Sequence, residues 1–240
     1  MKILIFIIIA ILCYWVSGII HELGHIVVGL VNGWKFYMLT VGPFGLKADK
    51  NGKIKVYFEK HIMSWGGVGS TLPQNKNADN VSIWSKVLLG GPISSIIMGC
   101  IFLPLGFAYK NIALLLLGAM PLGMGIVCAL PLPLKTGITY TDGARWSRLH
   151  KGGQDKAEEI ALFKMVEHNL FGSNYSEIRY SDFEPLLFAK LDTIKYYGNY
   201  YAYRYYQARQ DDENMKKAFE CMNELKKNVP RLVVEDCKIS

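Results

Sequence analysis

Apolar positions gather in three blocks, residues 3–31, 83–108 and 111–134, and between and after them the pattern turns polar. Each block reaches the ~20 residues a helix needs to cross the hydrocarbon core of a bilayer. The pattern therefore predicts three membrane-spanning helices. Lys2 ahead of an apolar core invites comparison with a signal peptide, but the run continues past signal-peptide length without an A-x-A cleavage pattern. Only Lys110 and Asn111 separate the second and third blocks, which predicts a tight helical hairpin. A different period governs residues 34–60. In "DKNGKIKVYFE" an Asn-Gly turn signal precedes Ile54, Val56 and Phe58, which alternate with Lys53, Lys55 and Tyr57. This predicts a β-hairpin with "FYMLTVGPFGLKA" as its partner. "WGGVGSTLPQNKNADN", residues 65–80, reads as a glycine-rich flexible loop and polar linker.

After residue 150 the pattern becomes that of a soluble helical module. Helices are expected around 154–170 and 182–192, with two more in "KYYGNYYAYRYYQARQDDENMKKAFECMNELKKNVP". Ala218, Met222, Leu225 and Pro230 match the latter part of a tetratricopeptide repeat by spacing. One such repeat cannot bury its own face, so the preceding helices must pack with it. The tyrosine cluster at 196–206 is expected to be core. The fold class expected is a mainly α membrane protein. It has about three transmembrane helices with a small membrane-associated β-hairpin (residues 1–150), then a C-terminal cytoplasmic, tetratricopeptide-like helical module (151–240).

Charge changes this picture by orienting it. Residues 1–150 carry 13 Lys+Arg against 5 Asp+Glu, and residues 151–240 carry 14 against 15. The net charge of +7 thus resides in the apolar half. Lysines interleaved with apolar spans read as membrane-flanking charge, which speaks against a nucleic-acid partner and for the lipid bilayer. Lys35, Lys47, Lys50, Lys53, Lys55, Lys60 and Lys76 lie between spans one and two, whereas the hairpin between spans two and three offers only Lys110. The positive-inside rule places residues 32–82 and the chain after 135 in the cytoplasm, with Lys2 outside against the rule. Cysteine adds little. Cys13, Cys100 and Cys128 lie in apolar runs, Cys221 and Cys237 in the polar tail, and no CxxC spacing occurs, so free thiols are expected.

The candidate chemistry sits where hydrocarbon should be, in "SGIIHELGHIVVGL", residues 17–30. Residues four apart share a helix face, so His21 and His25 can aim both imidazoles at one point with Glu22 beside them to activate water. Ionisable side chains inside a span are costly unless they face a polar cavity or a partner. The plain alternative is a pair of histidines hydrogen-bonded to neighbouring helices. Catalytic zinc usually takes three protein ligands and leaves one position for water. The apolar half offers His61, Asp49, Glu59, Asp79 and Asp142 for the third. Asp142 alone follows directly from a span, in "ALPLPLKTGITYTDGARW", at the side where span one presents its histidines. Pro131 and Pro133 predict an extended segment before it. Asp-Gly by itself would be an ordinary turn; its placement favours a ligand.

HELGH in a span, GGP in the next, then a proline-rich segment ending in DG, together resemble the site-2 protease family of intramembrane zinc metallopeptidases, in particular its compact bacterial members. The resemblance covers roughly residues 1–150. It implies a Zn2+ cofactor held by His21, His25 and Asp142, with Glu22 as general base. It implies substrate contact by Gly91, Pro92 and Ser95 in "GGPISS", against the alternative of close helix packing by small residues. Ser95 and Cys128 stand where the family usually carries asparagines. The resemblance further implies a bacterial plasma-membrane protein with a cytoplasmic tail. Its hairpin would dip into the membrane near the metal and pair an edge with an unwound, membrane-embedded peptide or protein substrate. The competing class is a non-catalytic membrane zinc-binding protein or a degenerate scaffold that binds membrane peptides. Such a protein has no need of Glu22 between its ligands.

Overall fold

The computed structural model describes residues 2–49, 51–76, 79–132, 140–171 and 174–238. The chain divides into two compact units, one of Met1–Leu132 with Thr141–Trp146, the other of Pro133–Tyr140 with Ser147–Ser240.

Three helices dominate the first unit: α1 (Lys2–Val31), α2 (Asn80–Ala108) and α3 (Ile112–Ala129). All three are long and apolar enough to cross a membrane. The third is shorter than expected, because the helix stops at Ala129 and the chain is extended from Leu130, just before Pro131. Asn111 starts it by accepting hydrogen bonds from the backbone N–H of Ala113 and Leu114. The three helices pack on one another. Gly24 and Gly90 set the α1–α2 crossing, since a Cβ on either would collide with the other's carbonyl. Burial is inverted relative to a water-soluble protein. Ser17, His21, Glu22 and His25 of α1 are buried, while Ile3, Leu4, Val27 and Val31 of the same helix are exposed. Apolar outside and polar inside is the arrangement hydrocarbon demands.

The strand region is larger than the expected hairpin. β1 (Lys35–Val41), β2 (Phe44–Ala48), β3 (Ile54–Phe58) and β4 (Val68–Leu72) form one antiparallel sheet in the order β3-β2-β1-β4. β2 and β3 pair with Phe44 opposite Phe58 and Leu46 opposite Val56. Their turn carries Gly52 at φ +76°, and Asp49 accepts backbone N–H from Asn51 and Lys53. Asp49 is therefore a turn residue, as is Glu59, which accepts the N–H of His61. β4 corrects the reading of residues 65–80 as a loop. Its Val-Gly-Ser-Thr-Leu run pairs with β1, from Lys35 opposite Leu72 to Thr40 opposite Val68. Gly69 within it, with Gly66 and Gly67 just before it, hid it from a pattern argument, because glycine is depleted in strands.

The second unit holds the helices α5 (Gly153–Leu170), α6 (Tyr180–Leu187), α7 (Asp192–Gln207), α8 (Asp212–Leu225) and α9 (Arg231–Asp236). The α6 helix ends earlier than expected, its last residues forming the turn before α7. Phe183, Leu186, Ile194 and Val233 are fully buried in one core with Tyr196, Tyr200, Tyr201, Ala218 and Met222. The tyrosines are thus packing residues. One further helix, α4 (Asp142–Lys151), begins in the first unit and ends in the second. In its second-unit part, buried Arg148 pairs with Asp155 at 2.8 Å, Glu159 at 3.1 Å and Glu158, and its guanidinium lies 4.2 Å from the Tyr140 ring centroid.

Candidate metal centre

His21 and His25 occupy successive turns of α1 and are both buried, at 4% and 7% exposure. Each is held from behind by α2. His25 Nδ1 lies 2.6 Å from the Val87 carbonyl oxygen, which can only accept, so Nδ1 carries a proton and Nε2 is the ring atom turned toward Asp142. His21 Nδ1 lies 2.9 Å from the Ser95 hydroxyl, which leaves its Nε2 directed elsewhere. Both Nε2 atoms converge on Gly91. A Cβ there would overlap His25 Nε2 and come within 2.7 Å of His21 Nε2. Glycine at 91 is thus a condition for two imidazoles to meet at one point.

Asp142 completes the convergence. Its Oδ2 lies 3.3 Å from His21 Nε2 and 3.6 Å from His25 Nε2. Donors bound tetrahedrally to zinc at ~2.0–2.1 Å sit about 3.3 Å from one another. The two histidine–Asp142 separations are close to that spacing. Asp142 is the first residue of α4, so the Asp-Gly pair opens a helix. The proline-rich segment expected to be extended lies at residues 133–139, outside the described residues. Thr141 anchors the start: its hydroxyl donates to the Leu130 carbonyl at 2.6 Å and accepts from the Ala144 N–H. Gly143 permits the close approach, since a Cβ would overlap the Ala129 carbonyl. Burial alone would raise the Asp142 carboxyl, but its bonds to His21 and His25 outweigh that and hold it below the usual carboxylate range. An ionised carboxylate facing two imidazole Nε2 atoms is a ligand set in which a divalent cation could take the place of the protons.

Glu22, also buried, points to the sheet. Gly69 of β4 offers it a backbone hydrogen bond. A Cβ on Gly69 would come within 2.7 Å of the Glu22 carbonyl oxygen and 2.8 Å of its Cβ, and one on Gly67 would crowd the carboxylate. The two glycines thus admit the Glu22 side chain beside an edge strand.

Of the residues the resemblance assigned to substrate, Gly91 faces the imidazoles, Pro92 is buried within α2, and Ser95 is buried on His21. Their observed partners are the histidines and the helix interior. Sequence reasoning did not anticipate three participants: Thr141, the Gly67–Gly69 pair, and Cys128. A Thr-Asp-Gly start is an N-cap signal for the first. The second had only its glycine spacing. The Cys128 thiol joins His21 and Asp142 in a group whose donor atoms all lie within 4.8 Å of one another. Neither a family model, nor a curated protein, nor a solved structure matches the chain.

Proposed function

We propose that the protein is an integral membrane zinc metalloendopeptidase that hydrolyses peptide bonds of membrane-embedded peptides or proteins. The observation that carries this reading is the convergence of two imidazoles and a carboxylate, with a second carboxylate beside them, inside helices whose outer faces are apolar. His21 Nε2, His25 Nε2 and an Asp142 oxygen would hold the ion. When bound, zinc polarises the scissile carbonyl and lowers the pKa of its water toward ~7. Glu22 would act as general base, accepting a proton from the attacking water and returning it to the leaving amine. The Val87 carbonyl and Ser95 hydroxyl keep each imidazole in the tautomer that presents Nε2. β4, an edge strand beside Glu22, offers main-chain groups to an extended peptide, which a helical substrate must become before its amide can be attacked. The lysines between the first two spans support a cytoplasmic sheet and tail. In the tail, the α7–α8 pair with Ala218 and Met222 in its core supports a tetratricopeptide-like packing.

A zinc carrier or scaffold would need the ligands but not Glu22. The discriminating measurement is zinc content and peptide cleavage of Glu22→Gln beside His25→Ala, Asp142→Ala and Asp79→Ala. Glu22→Gln is expected to keep zinc and lose cleavage by about 10²-fold or more. His25→Ala and Asp142→Ala lose zinc, and Asp79→Ala keeps both. Cleavage surviving in Glu22→Gln removes the general-base role; equal zinc in Asp142→Ala removes the third ligand.

A further inference from the structure

We infer that Cys128 is a fourth protein donor to the metal, so that the resting site is closed by a thiolate rather than open to water. This rests on the zinc reading above and goes beyond it. Cys128 lies in the last turn of α3, two residues before the chain becomes extended. Its Sγ, the nearest Asp142 oxygen and a His21 ring nitrogen all fall within 4.8 Å of one another. Asp142 Oδ2 is in turn within 3.6 Å of His25 Nε2. The thiol, His21 and Asp142 thus share one point, and His25 joins them through Asp142.

The chemistry favours the bond. Thiolate is the donor zinc takes most readily, at ~2.3 Å, and a tetrahedral site with four protein donors is the closed, structural form of a zinc centre. The asparagine that the resembled pattern carries at this position has no anionic donor, so the fourth ligand is a property of this chain. Neither of the sulfur's chain neighbours competes for it, because Val127 and Ala129 are apolar. On metal binding the thiol proton leaves to solvent. For water to enter, the sulfur must withdraw and recover a proton, while His21, His25 and Asp142 keep the ion. The site is then gated by one side chain: Cys128 in gives latency, Cys128 out gives the open position that hydrolysis needs.

Cobalt(II) reports the donors directly. The wild-type protein, purified in detergent and given one equivalent of cobalt, is expected to show d–d bands of a tetrahedral site together with a sulfur-to-cobalt charge-transfer band. Cys128→Ser and Cys128→Asn should lose the charge-transfer band and keep the d–d bands. His21→Ala should lose the charge-transfer band, which separates this site from the four other cysteines. X-ray absorption of the zinc form adds a check that needs no variant, one sulfur at about 2.3 Å. Tetrahedral d–d bands without charge transfer in the wild type overturn the inference and leave the zinc reading standing. A charge-transfer band that survives in Cys128→Ser or His21→Ala overturns it by placing the sulfur elsewhere. Failure of the wild type to take up cobalt or zinc overturns the zinc reading and this inference with it.

Discussion

At the scale of single residues, the centre is built by what stands behind the ligands as much as by the ligands. His21 and His25 were legible in the sequence because a four-residue spacing on a helix has one geometric meaning. Glu22 was legible from its place between them. Ser95 entered the sequence reading as a departure from a pattern and as a candidate substrate contact, whereas in the structure its partner is His21. It lies 2.9 Å from His21 Nδ1 and is fully buried. Removing such an outer partner typically costs ~10–100-fold in metal affinity. Ser95→Ala should therefore weaken zinc retention by about that factor in a chelator competition, with the fold intact by circular dichroism. Unchanged affinity would mean that α2 backbone alone orients the ring. Cys128 was not legible as a donor. Three cysteines lie in apolar runs, and nothing in their spacing separates Cys128 from Cys13 or Cys100 until α3 and Asp142 are folded together.

At the scale of elements, what the sequence revealed depended on how strongly each periodicity was written. The three apolar blocks are helices long and apolar enough to cross a membrane, and a helix satisfies its backbone amides within itself, as hydrocarbon would require. The β2–β3 hairpin followed from Asn51-Gly52 and the alternation after it. β4 was illegible for a physical reason: Gly67 and Gly69 make room for Glu22, and that requirement removes the side chains that announce a strand. The same requirement makes a prediction. Gly69→Val places atoms against the Glu22 backbone and Cβ while touching none of the metal ligands. It should keep zinc and lower cleavage at least as far as misplacing a general base does, about 10²-fold. Gly123→Ala is the control, since a Cβ there meets nothing within 4 Å. Loss of zinc in Gly69→Val would show that β4 supports the ligands and not only Glu22.

At the scale of the whole molecule, the two units have separate interiors but share the helix that starts at Asp142. Residues 141–146 belong to the first unit, yet Tyr140 before them and Ser147 after them belong to the second. The second of these units is the helical module. Tyr140 is packed against that module's core and stacked on Arg148, whose charge is shared among Asp155, Glu158 and Glu159. Removing one member of a buried ion cluster strands the others, at about 3–5 kcal/mol. Arg148→Met should lower the module's unfolding temperature by several degrees or more in thermal denaturation. Truncation extends the argument. If the tail recruits substrate, a chain lacking residues 151–240 would keep zinc and lose only cleavage of its natural substrate. A tail that instead clamps the Asp142 segment predicts a different outcome: zinc retention should fall toward that of Asp142→Ala. Zinc content and cleavage of the truncated protein, measured together, distinguish the two roles. Zinc lost marks the module as the anchor of the third ligand; zinc kept with cleavage lost restores recruitment. Full activity of the truncated protein toward its natural substrate would remove both.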